Sequence, residues 1–227
     1  MSFAKLIAPA DPIAFLGSDF GKRWRHFPGD EAKADAVFDW GEMNRLLGMD
    51  VWNARNMTVM LDGRKAPPAA YCDQTVNRSM SAGVYPNRDK VMALLAEGAS
   101  LVLNEMASLA PTVQAVADGL RQTFNARTSA NLYYSQRARQ AFDSHYDRHE
   151  VFALQIRGRK KWRVYKGRAD TPIEHARFLN VPQSEYDRMK GPVDQEVTTK
   201  AGDVLYLPRG QFHDAIATDD DSLHITF

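Results

Sequence analysis

The chain has 227 residues, 44% of them hydrophobic and 25% charged, which is typical of a globular domain with a sizeable core. Its 29 basic and 28 acidic residues give a net charge of +1, which argues against a surface that binds nucleic acid all over the protein. The single cysteine excludes an intrachain disulfide. The sequence shows no signal peptide, and no apolar run approaches the roughly 20 residues of a transmembrane helix. We therefore expect a cytoplasmic protein with no membrane partner.

The first half of the chain favours helices, with a few short strands between them. Apolar residues recur at helical spacing in several stretches, and Asn87 and Pro111 are residues that favour a helix start. Gly41 weakens the prediction of one continuous helix in its stretch. The predicted helices are Ala32–Leu47, Asn87–Glu97 and Ala110–Phe124, and the predicted strands are Met57–Leu61 and Ser100–Leu103.

From about Asn131 onward, short aromatic and β-branched runs bounded by Gly, Pro and Asp predict an antiparallel β-structure with one buried face. These runs are NLYYS, VFALQI, KKWRVY, DVLYLP and HITF. We predict a hairpin that turns at Gly158, and we interpret the polar segment after Tyr165, about residues 166 to 200, as a lid or binding element that contains one or two short helices. The fold class is α+β but mainly β, as one domain over residues 1–227. Residues 1–97 form an N-terminal extension that packs on a barrel at 98–227.

Two histidines and a carboxylate are candidates for a metal site. His145 and Asp147 form an H-x-D pair at a predicted strand start, and side chains two apart on a strand share a face. His213 follows the DVLYLP strand. Two histidines and one carboxylate form the facial triad of non-haem iron(II) oxygenases, which leaves coordination positions open. An isolated H-x-D pair is weak evidence, because most such pairs are solvated strand ends. His213, placed after a strand that a cupin-type barrel would bring close to this pair, strengthens the prediction of a metal site.

Lys160 is a candidate for binding an anion near that metal. It lies 15 residues after His145, and the predicted hairpin would return it towards the barrel interior, where an ammonium can pair with a carboxylate. The alternative is strong, because RGRKKWR is a charged run and such runs are usually solvated. Because side chains alternate along a strand, one of two sets faces inward. The sets are Lys160, Trp162 and Val164, or else Lys161, Arg163 and Tyr165.

Taken together, these motifs resemble the JmjC domain of the ribosomal oxygenases, a family of protein hydroxylases. The set of motifs is more specific than any one of them, and it covers residues 98 to 227 and the amino-terminal segment, with residues 45 to 95 matching loosely. The strings that carry the resemblance are IAPADPIAFLGSDFGKRW, GASLVLNEMASLAP, NLYYS, SHYDRHEVFALQIRGRKKWRVY and AGDVLYLPRGQFHDA.

The resemblance implies a double-stranded β-helix of the jelly-roll or cupin type that uses Fe(II), 2-oxoglutarate and O₂. It implies that His145, Asp147 and His213 are the iron ligands and that Lys160 binds the distal carboxylate of 2-oxoglutarate. Asn131 and Tyr133 match an N-x-Y motif that faces the active site. The implied reaction is hydroxylation of a C–H bond in a protein or peptide side chain, with a ribosomal protein as a candidate. His149 is expected to support the site rather than bind metal, and His224 to pack in the core.

Several alternatives stay open from the sequence. The same chemistry on a small molecule or a modified RNA base is one, although the near-neutral charge disfavours RNA. A non-redox cupin metalloenzyme and an inactive binding protein with the same fold are two others. Members of the family continue with a helical dimerisation region and a winged-helix domain, for which this sequence has no counterpart. A homodimer is nevertheless compatible with the resemblance.

Overall fold

The computed structural model describes residues 1–76, 80–136, 142–173, 175, 178 and 181–227, apart from the side chains of residues 219 and 220. The helices are α1 Phe3–Ile7, α2 Pro12–Ser18, α3 Glu31–Asp35, α4 Trp40–Leu47, α5 Arg88–Ala96, α6 Pro111–Phe124 and α7 Gln183–Met189. The strands are β1 Arg25–Phe27, β2 Met57–Leu61, β3 Arg64–Lys65, β4 Cys72–Val76, β5 Ala82–Pro86, β6 Ser100–Leu103, β7 Asn131–Ser135, β8 Val151–Arg168, β9 Val193–Lys200, β10 Val204–Leu207 and β11 Gln211–Thr226.

Two of the three predicted helices are confirmed, with the predicted start residues. The Asn87 side chain caps α5 by accepting hydrogen bonds from the backbone N–H groups of Asp89 and Lys90, at 2.9 and 3.1 Å. Such a cap satisfies N–H groups that have no partner within the helix. Pro111 occupies the first turn of α6, where its missing N–H costs nothing.

The predicted helix Ala32–Leu47 is wrong as one element, because the structure divides it into α3 and α4. Val37 and Phe38 lie in the break, and both are buried. Asp39 then starts the second helix by accepting a hydrogen bond from the backbone N–H of Glu42 at 2.7 Å. The chain therefore turns into the core before α4 begins, and the break precedes Gly41 rather than falling on it.

The β-structure is built around two long antiparallel strands, β8 and β11. The ladder follows the order β1-β10-β8-β11-β7-β6-β2-β3, and β9 pairs with the second half of β8. Strands β4 and β5 form a separate two-stranded sheet. Residues 1–97 supply β1, β2 and β3 to the large sheet, so this N-terminal extension and the rest of the chain share one β-structure.

The predicted hairpin at Gly158 is wrong, because β8 runs without a break from Val151 to Arg168. Gly158 instead marks an irregular point of that strand, with φ +62°, opposite a register shift of β11 between Ala217 and Ser222. A Cβ atom at residue 158 would lie 2.0 Å from the carbonyl oxygen of Asp221. Glycine is therefore required by the close approach of two strands, not by a turn.

The predicted lid is also wrong in part. The last eight residues of that segment form β9, which pairs with β8 from Arg159 to Tyr165. Before it, Gln183–Met189 form α7. Residues 174, 176–177 and 179–180 lie outside the described residues. The exposed, polar side of β9 hid its strand character, since only Val197 and Thr199 of this strand are buried.

An aromatic cluster joins the N-terminal helices to the β-structure. Phe3 lies edge-on to Phe152 of β8 at 5.9 Å between ring centroids, and Phe15 lies edge-on to Tyr206 of β10 at 4.9 Å. Aromatic pairs at these separations contribute about 0.5–1.5 kcal/mol each beyond area burial. This packing supports the predicted placement of helices on the β half. Among the helices described, none is long and apolar enough to cross a membrane.

Candidate metal centre

The side chains of His145, Asp147 and His213 converge on one point. Their potential ligand atoms all lie within 4.8 Å of one another. Nε2 of His213 is 3.6 Å from Oδ2 of Asp147, and the two imidazole centroids are 4.6 Å apart. In the part of the chain that the structure describes, this is the one group of three or more His, Cys, Asp or Glu side chains with that property. The three predicted residues are therefore brought together.

Backbone hydrogen bonds hold the three residues in register. The N–H of His145 donates to the carbonyl of His213 at 3.0 Å, and the N–H of His213 donates back at 2.8 Å. The N–H of Gly210 donates to the carbonyl of Asp147 at 2.9 Å. His145 and Asp147 thus lie in a segment before β8, bridged to β11, and not at the start of a strand as predicted. His213 lies inside β11.

Each histidine is oriented by a backbone carbonyl. Nδ1 of His145 is 2.8 Å from the carbonyl oxygen of Asp143, and Nδ1 of His213 is 3.0 Å from that of Gln211. Because a carbonyl oxygen only accepts, Nδ1 carries the proton and donates in both cases. In the neutral form of either ring, Nε2 then keeps its lone pair. Such a second contact fixes the tautomer and orientation of metal-binding histidines.

The protonation states also suit a cation. Burial, and then the neighbouring His145, lower the pKa of His213 to about 4. Burial by itself raises the pKa of Asp147, but His145 and His213 hold that pKa below its usual value. Near neutral pH His213 is therefore a neutral imidazole and Asp147 an ionised carboxylate, the forms that bind metal. Iron, zinc and manganese all accept this donor set.

A cavity of about 130 Å³ extends from these residues into the β-structure. This volume is below the roughly 300–1,000 Å³ of pockets that hold drug-sized ligands, so the cavity suits a small organic acid. Lys160 lines it and is only 3% exposed. Lys161, the next residue, points the other way and pairs with Glu196 at 2.8 Å. Lys160 therefore faces inward as predicted, although strand alternation rather than a hairpin turns it there.

Lys160 is a buried cation without a counter-charge. Burial alone lowers the pKa of its ammonium to about 8. Among the described residues no carboxylate forms an ion pair with it. Burying an unpaired charge is costly, so a ligand that brings an anion into this cavity would relieve the cost.

Asn131 and Tyr133 line the same cavity on β7. The Tyr133 hydroxyl lies beside the side chains of Thr226 and Asn131, and burial, followed by the charge of Asp147, raises its pKa. The ring of Tyr133 stacks on His224 at 4.8 Å with an interplanar angle of 9°. Both predicted residues are thus placed in the cavity wall.

Sequence reasoning missed several residues that line the cavity, among them His224 of β11 and the Ser100–Ser135 pair. The two serine hydroxyls are 2.6 Å apart and buried. Strand alternation in SLHIT contains the signal for His224, because Leu223 and Ile225 belong to the core and their neighbours face the other side. His149 is exposed and outside the metal-binding group, although it lies at the cavity mouth.

Comparison with known proteins gives one family and a consistent set of relatives. The family model described as JmjC domain matches residues 104–227. The bifunctional lysine-specific demethylase and histidyl-hydroxylase NO66 of Drosophila sechellia is 32% identical over 177 residues, which are 77% of this chain and 23% of that protein. Human ribosomal oxygenase 1 is 33% identical over 175 residues, 77% of this chain and 24% of its own length. The chain spans about a quarter of the length of these relatives.

Solved structures show the same fold. The ribosomal oxygenase YcfD from Escherichia coli superposes with a TM-score of 0.62 at 17% identity, over 96% of this chain and 50% of that one. A structure of the same enzyme in complex with cobalt and 2-oxoglutarate superposes with a TM-score of 0.62 at 16% identity, over 96% of this chain and 51% of that one. The predicted double-stranded β-helix of the JmjC type is therefore confirmed. Since the family model covers more than half of its residues, this chain belongs to the JmjC domain family.

Proposed function

We propose that the chain is an iron(II)- and 2-oxoglutarate-dependent oxygenase that hydroxylates a C–H bond. The observation that carries the proposal is one cavity with two complementary ends. One end has three converging metal ligands, and the other has the buried ammonium of Lys160, which no carboxylate of the described chain neutralises. A metal-chelating 2-oxo acid with a second carboxylate at its far end matches both. Two-histidine, one-carboxylate sites with open positions are typical of non-haem iron oxygenases.

In this proposal the cavity residues have separate roles. His145, Asp147 and His213 hold the iron, and Lys160 binds the distal carboxylate. Asn131 and Tyr133 form the wall between the two ends. Bound iron supplies the oxidising chemistry, by which 2-oxoglutarate, O₂ and R–H become succinate, CO₂ and R–OH. The protein positions the reactants and keeps water out, and the rings of Trp162 and Tyr133 close the cavity sides.

For the substrate, we propose an amino-acid side chain in a protein or peptide. The names of the relatives support this, since they describe a histidyl-hydroxylase and ribosomal oxygenases. A groove of about 470 Å³ also adjoins the metal cavity and shares Asn131, His149, Val151 and Thr226 with it. A larger groove beside the smaller metal cavity suits a polymer that inserts one side chain. Because relatives are named ribosomal oxygenases, the candidate substrate is a ribosomal protein.

Organisation and location are proposed on narrower support. We propose that residues 1–97 and 98–227 act as one domain, because both contribute to the same core and the same large sheet. The cytoplasmic location and the homodimer stay predictions from the sequence.

The test is ligand binding followed by turnover. Protein loaded with Fe(II) without oxygen is titrated with 2-oxoglutarate, and succinate is then measured in air with ascorbate and a library of ribosomal-protein peptides. In the wild type we expect binding of 2-oxoglutarate and succinate formation coupled to the gain of one oxygen atom by a peptide. In His213→Ala we expect neither succinate formation nor peptide oxygenation. Metal binding without any binding of 2-oxoglutarate would instead favour a non-redox cupin.

A further inference from the structure

His224 lies at the inner end of the cavity with an unmet hydrogen-bonding group. The residue is 4% exposed, and its Nδ1 has no hydrogen-bond partner among the described residues. The imidazole lies between aromatic neighbours, stacked on Tyr133 and edge-on to Trp162 at 5.6 Å between centroids. Buried polar atoms in folded proteins are nearly always hydrogen-bonded, so an exception calls for an explanation.

Other polar groups at this end are already engaged. The hydroxyls of Ser100 and Ser135 bind each other at 2.6 Å, and the Tyr133 hydroxyl lies beside the side chains of Thr226 and Asn131. Lys160 and His224 are different, since neither has a carboxylate partner in the described part of the chain. Two groups that can donate hydrogen bonds thus face one small space that holds no acidic side chain at this end.

Electrostatics determine the form in which His224 is present. Burial, and then the charge of Lys160, lower the pKa of His224 well below its ordinary value. The imidazole is therefore neutral, with one N–H donor and one acceptor nitrogen. A half-turn of the ring about its Cβ–Cγ bond exchanges its two edges and preserves the stack on Tyr133, so an N–H can be directed into the cavity.

We propose that His224 donates a hydrogen bond to the distal carboxylate of 2-oxoglutarate, beside Lys160, and that the two residues together select a dicarboxylate over a monocarboxylate 2-oxo acid. This inference rests on the proposed function. It assigns to His224 a binding role that simple packing does not need, because a phenylalanine would stack on Tyr133 equally well.

The first experiment measures dissociation constants on Mn(II)-loaded protein by calorimetry. His224→Phe keeps the ring stack and removes both nitrogens. We expect the dissociation constant for 2-oxoglutarate to rise on the order of tenfold to a hundredfold, as for loss of a hydrogen bond to a charged group. The dissociation constant for Mn(II) should stay unchanged. The melting temperature of the ligand-free variant should equal or exceed that of the wild type, because the variant removes an unpartnered polar atom.

The second measurement uses the wild-type protein, so it does not depend on how the variant folds. The imidazole ¹⁵N resonances of Zn(II)-loaded protein are recorded with and without ligand, and His224→Gln assigns the signal. We expect 2-oxoglutarate to shift a His224 N–H resonance and to protect it from exchange. 2-Oxopentanoate, which has a methyl group in place of the distal carboxylate, should leave that resonance unchanged.

The outcomes separate this inference from the function on which it rests. Wild-type protein that binds 2-oxoglutarate, with His224→Phe binding within twofold of it and the resonance unmoved, would overturn the role of His224 and leave the oxygenase proposal intact. Failure of the metal-loaded wild type to bind 2-oxoglutarate would overturn both.

Discussion

The two ends of the cavity differ in how far the protein itself satisfies their polar groups. At the metal end, His145 and His213 each donate from Nδ1 to a backbone carbonyl, and His213 approaches Asp147. At the inner end, Lys160 and His224 are more deeply buried than His145 or Asp147, and neither has an acidic partner among the described residues. The protein therefore orients the metal ligands in advance, whereas the inner end needs an anion to complete it.

The largest expected effect comes from removing the carboxylate of the metal end. Asp147→Ala leaves only two imidazoles, which provide neither the third donor nor the negative charge that favours binding of a divalent cation. We expect metal affinity to fall by more than the roughly 10–100-fold that loss of an outer-shell partner costs. Calorimetric titration with Mn(II) measures the change, and 2-oxoglutarate turnover should disappear with it.

A matched control is Asp118→Ala, which removes a carboxylate of α6 that pairs with Arg121 at the surface. Exposed pairs of this kind contribute little to stability, so metal affinity and folding should both stay near wild type. Normal metal binding by Asp147→Ala would show that the three converging side chains are not the ligand set.

The inner end is tested by adjacent lysines that face opposite sides of β8. Lys160→Met should raise the dissociation constant for 2-oxoglutarate on the order of a hundredfold or more, because the ligand's carboxylate would lose its buried cation. Lys161→Met removes only the pair with Glu196 on the outer side and should change that constant little. Equal effects of the two substitutions would contradict the assignment of the anion to Lys160.

The same pair of variants gives a pH-dependent stability difference in ligand-free protein. The pKa of Lys160 falls from 10.5 to about 8 in the folded state, so between these values the unfolded chain binds more protons and stability rises with pH. Below pH 8 the buried ammonium lowers the free energy of unfolding by the full amount. This penalty decreases as the pH rises and is absent above pH 10.5. A shift of this size corresponds to about 3 kcal/mol.

We therefore expect Lys160→Met to be more stable than the wild type below pH 8, with the difference shrinking as the pH rises towards 10.5. Urea unfolding across this range measures it. Lys161→Met should show no such window. A Lys160→Met protein that is less stable than the wild type throughout would mean that the ammonium is satisfied in the ligand-free state.

The elements best predicted from sequence are those whose signals are local. Asn87 and Pro111 mark helix starts by capping chemistry, and the short apolar runs of β2 and β6 were predicted with the bounds that the structure has. The failures involve tertiary contacts. Gly158 resembles a turn residue, yet the close approach of β11 requires it, and β9 is polar because most of its side chains face solvent.

The residues of the candidate site also differ in whether a local sequence signal or a tertiary contact determines their position. His145, Asp147 and His213 were found from motif spacing and family resemblance, which do not depend on exact register. Lys160 was placed inward for the wrong reason, since alternation along one continuous strand turns it there. For His224, alternation in SLHIT predicts a side chain on the face opposite Leu223 and Ile225, but not its position beside Tyr133. That position depends on the register between β7 and β11, which no local pattern specifies.

The smallest effect concerns the one pair at the inner end that the protein satisfies by itself. Ser100 and Ser135 lie opposite each other on β6 and β7, with their hydroxyls hydrogen-bonded and buried. Ser135→Ala leaves the Ser100 hydroxyl buried without that partner, which should cost about 1 kcal/mol of the free energy of unfolding. Replacing both serines by alanine should recover most of the loss, since no polar atom of the pair then lacks a partner.

This double-mutant cycle, measured by urea unfolding of ligand-free protein, sharpens the contrast with His224. Removing a satisfied hydroxyl should destabilise the protein, whereas His224→Phe removes an unsatisfied nitrogen and should not. If Ser135→Ala and the double variant lost equal stability, the unpaired Ser100 hydroxyl left by the single substitution would cost nothing measurable. The inner end would then tolerate unpaired polar groups in general, and the unpartnered Nδ1 of His224 would cease to indicate a ligand.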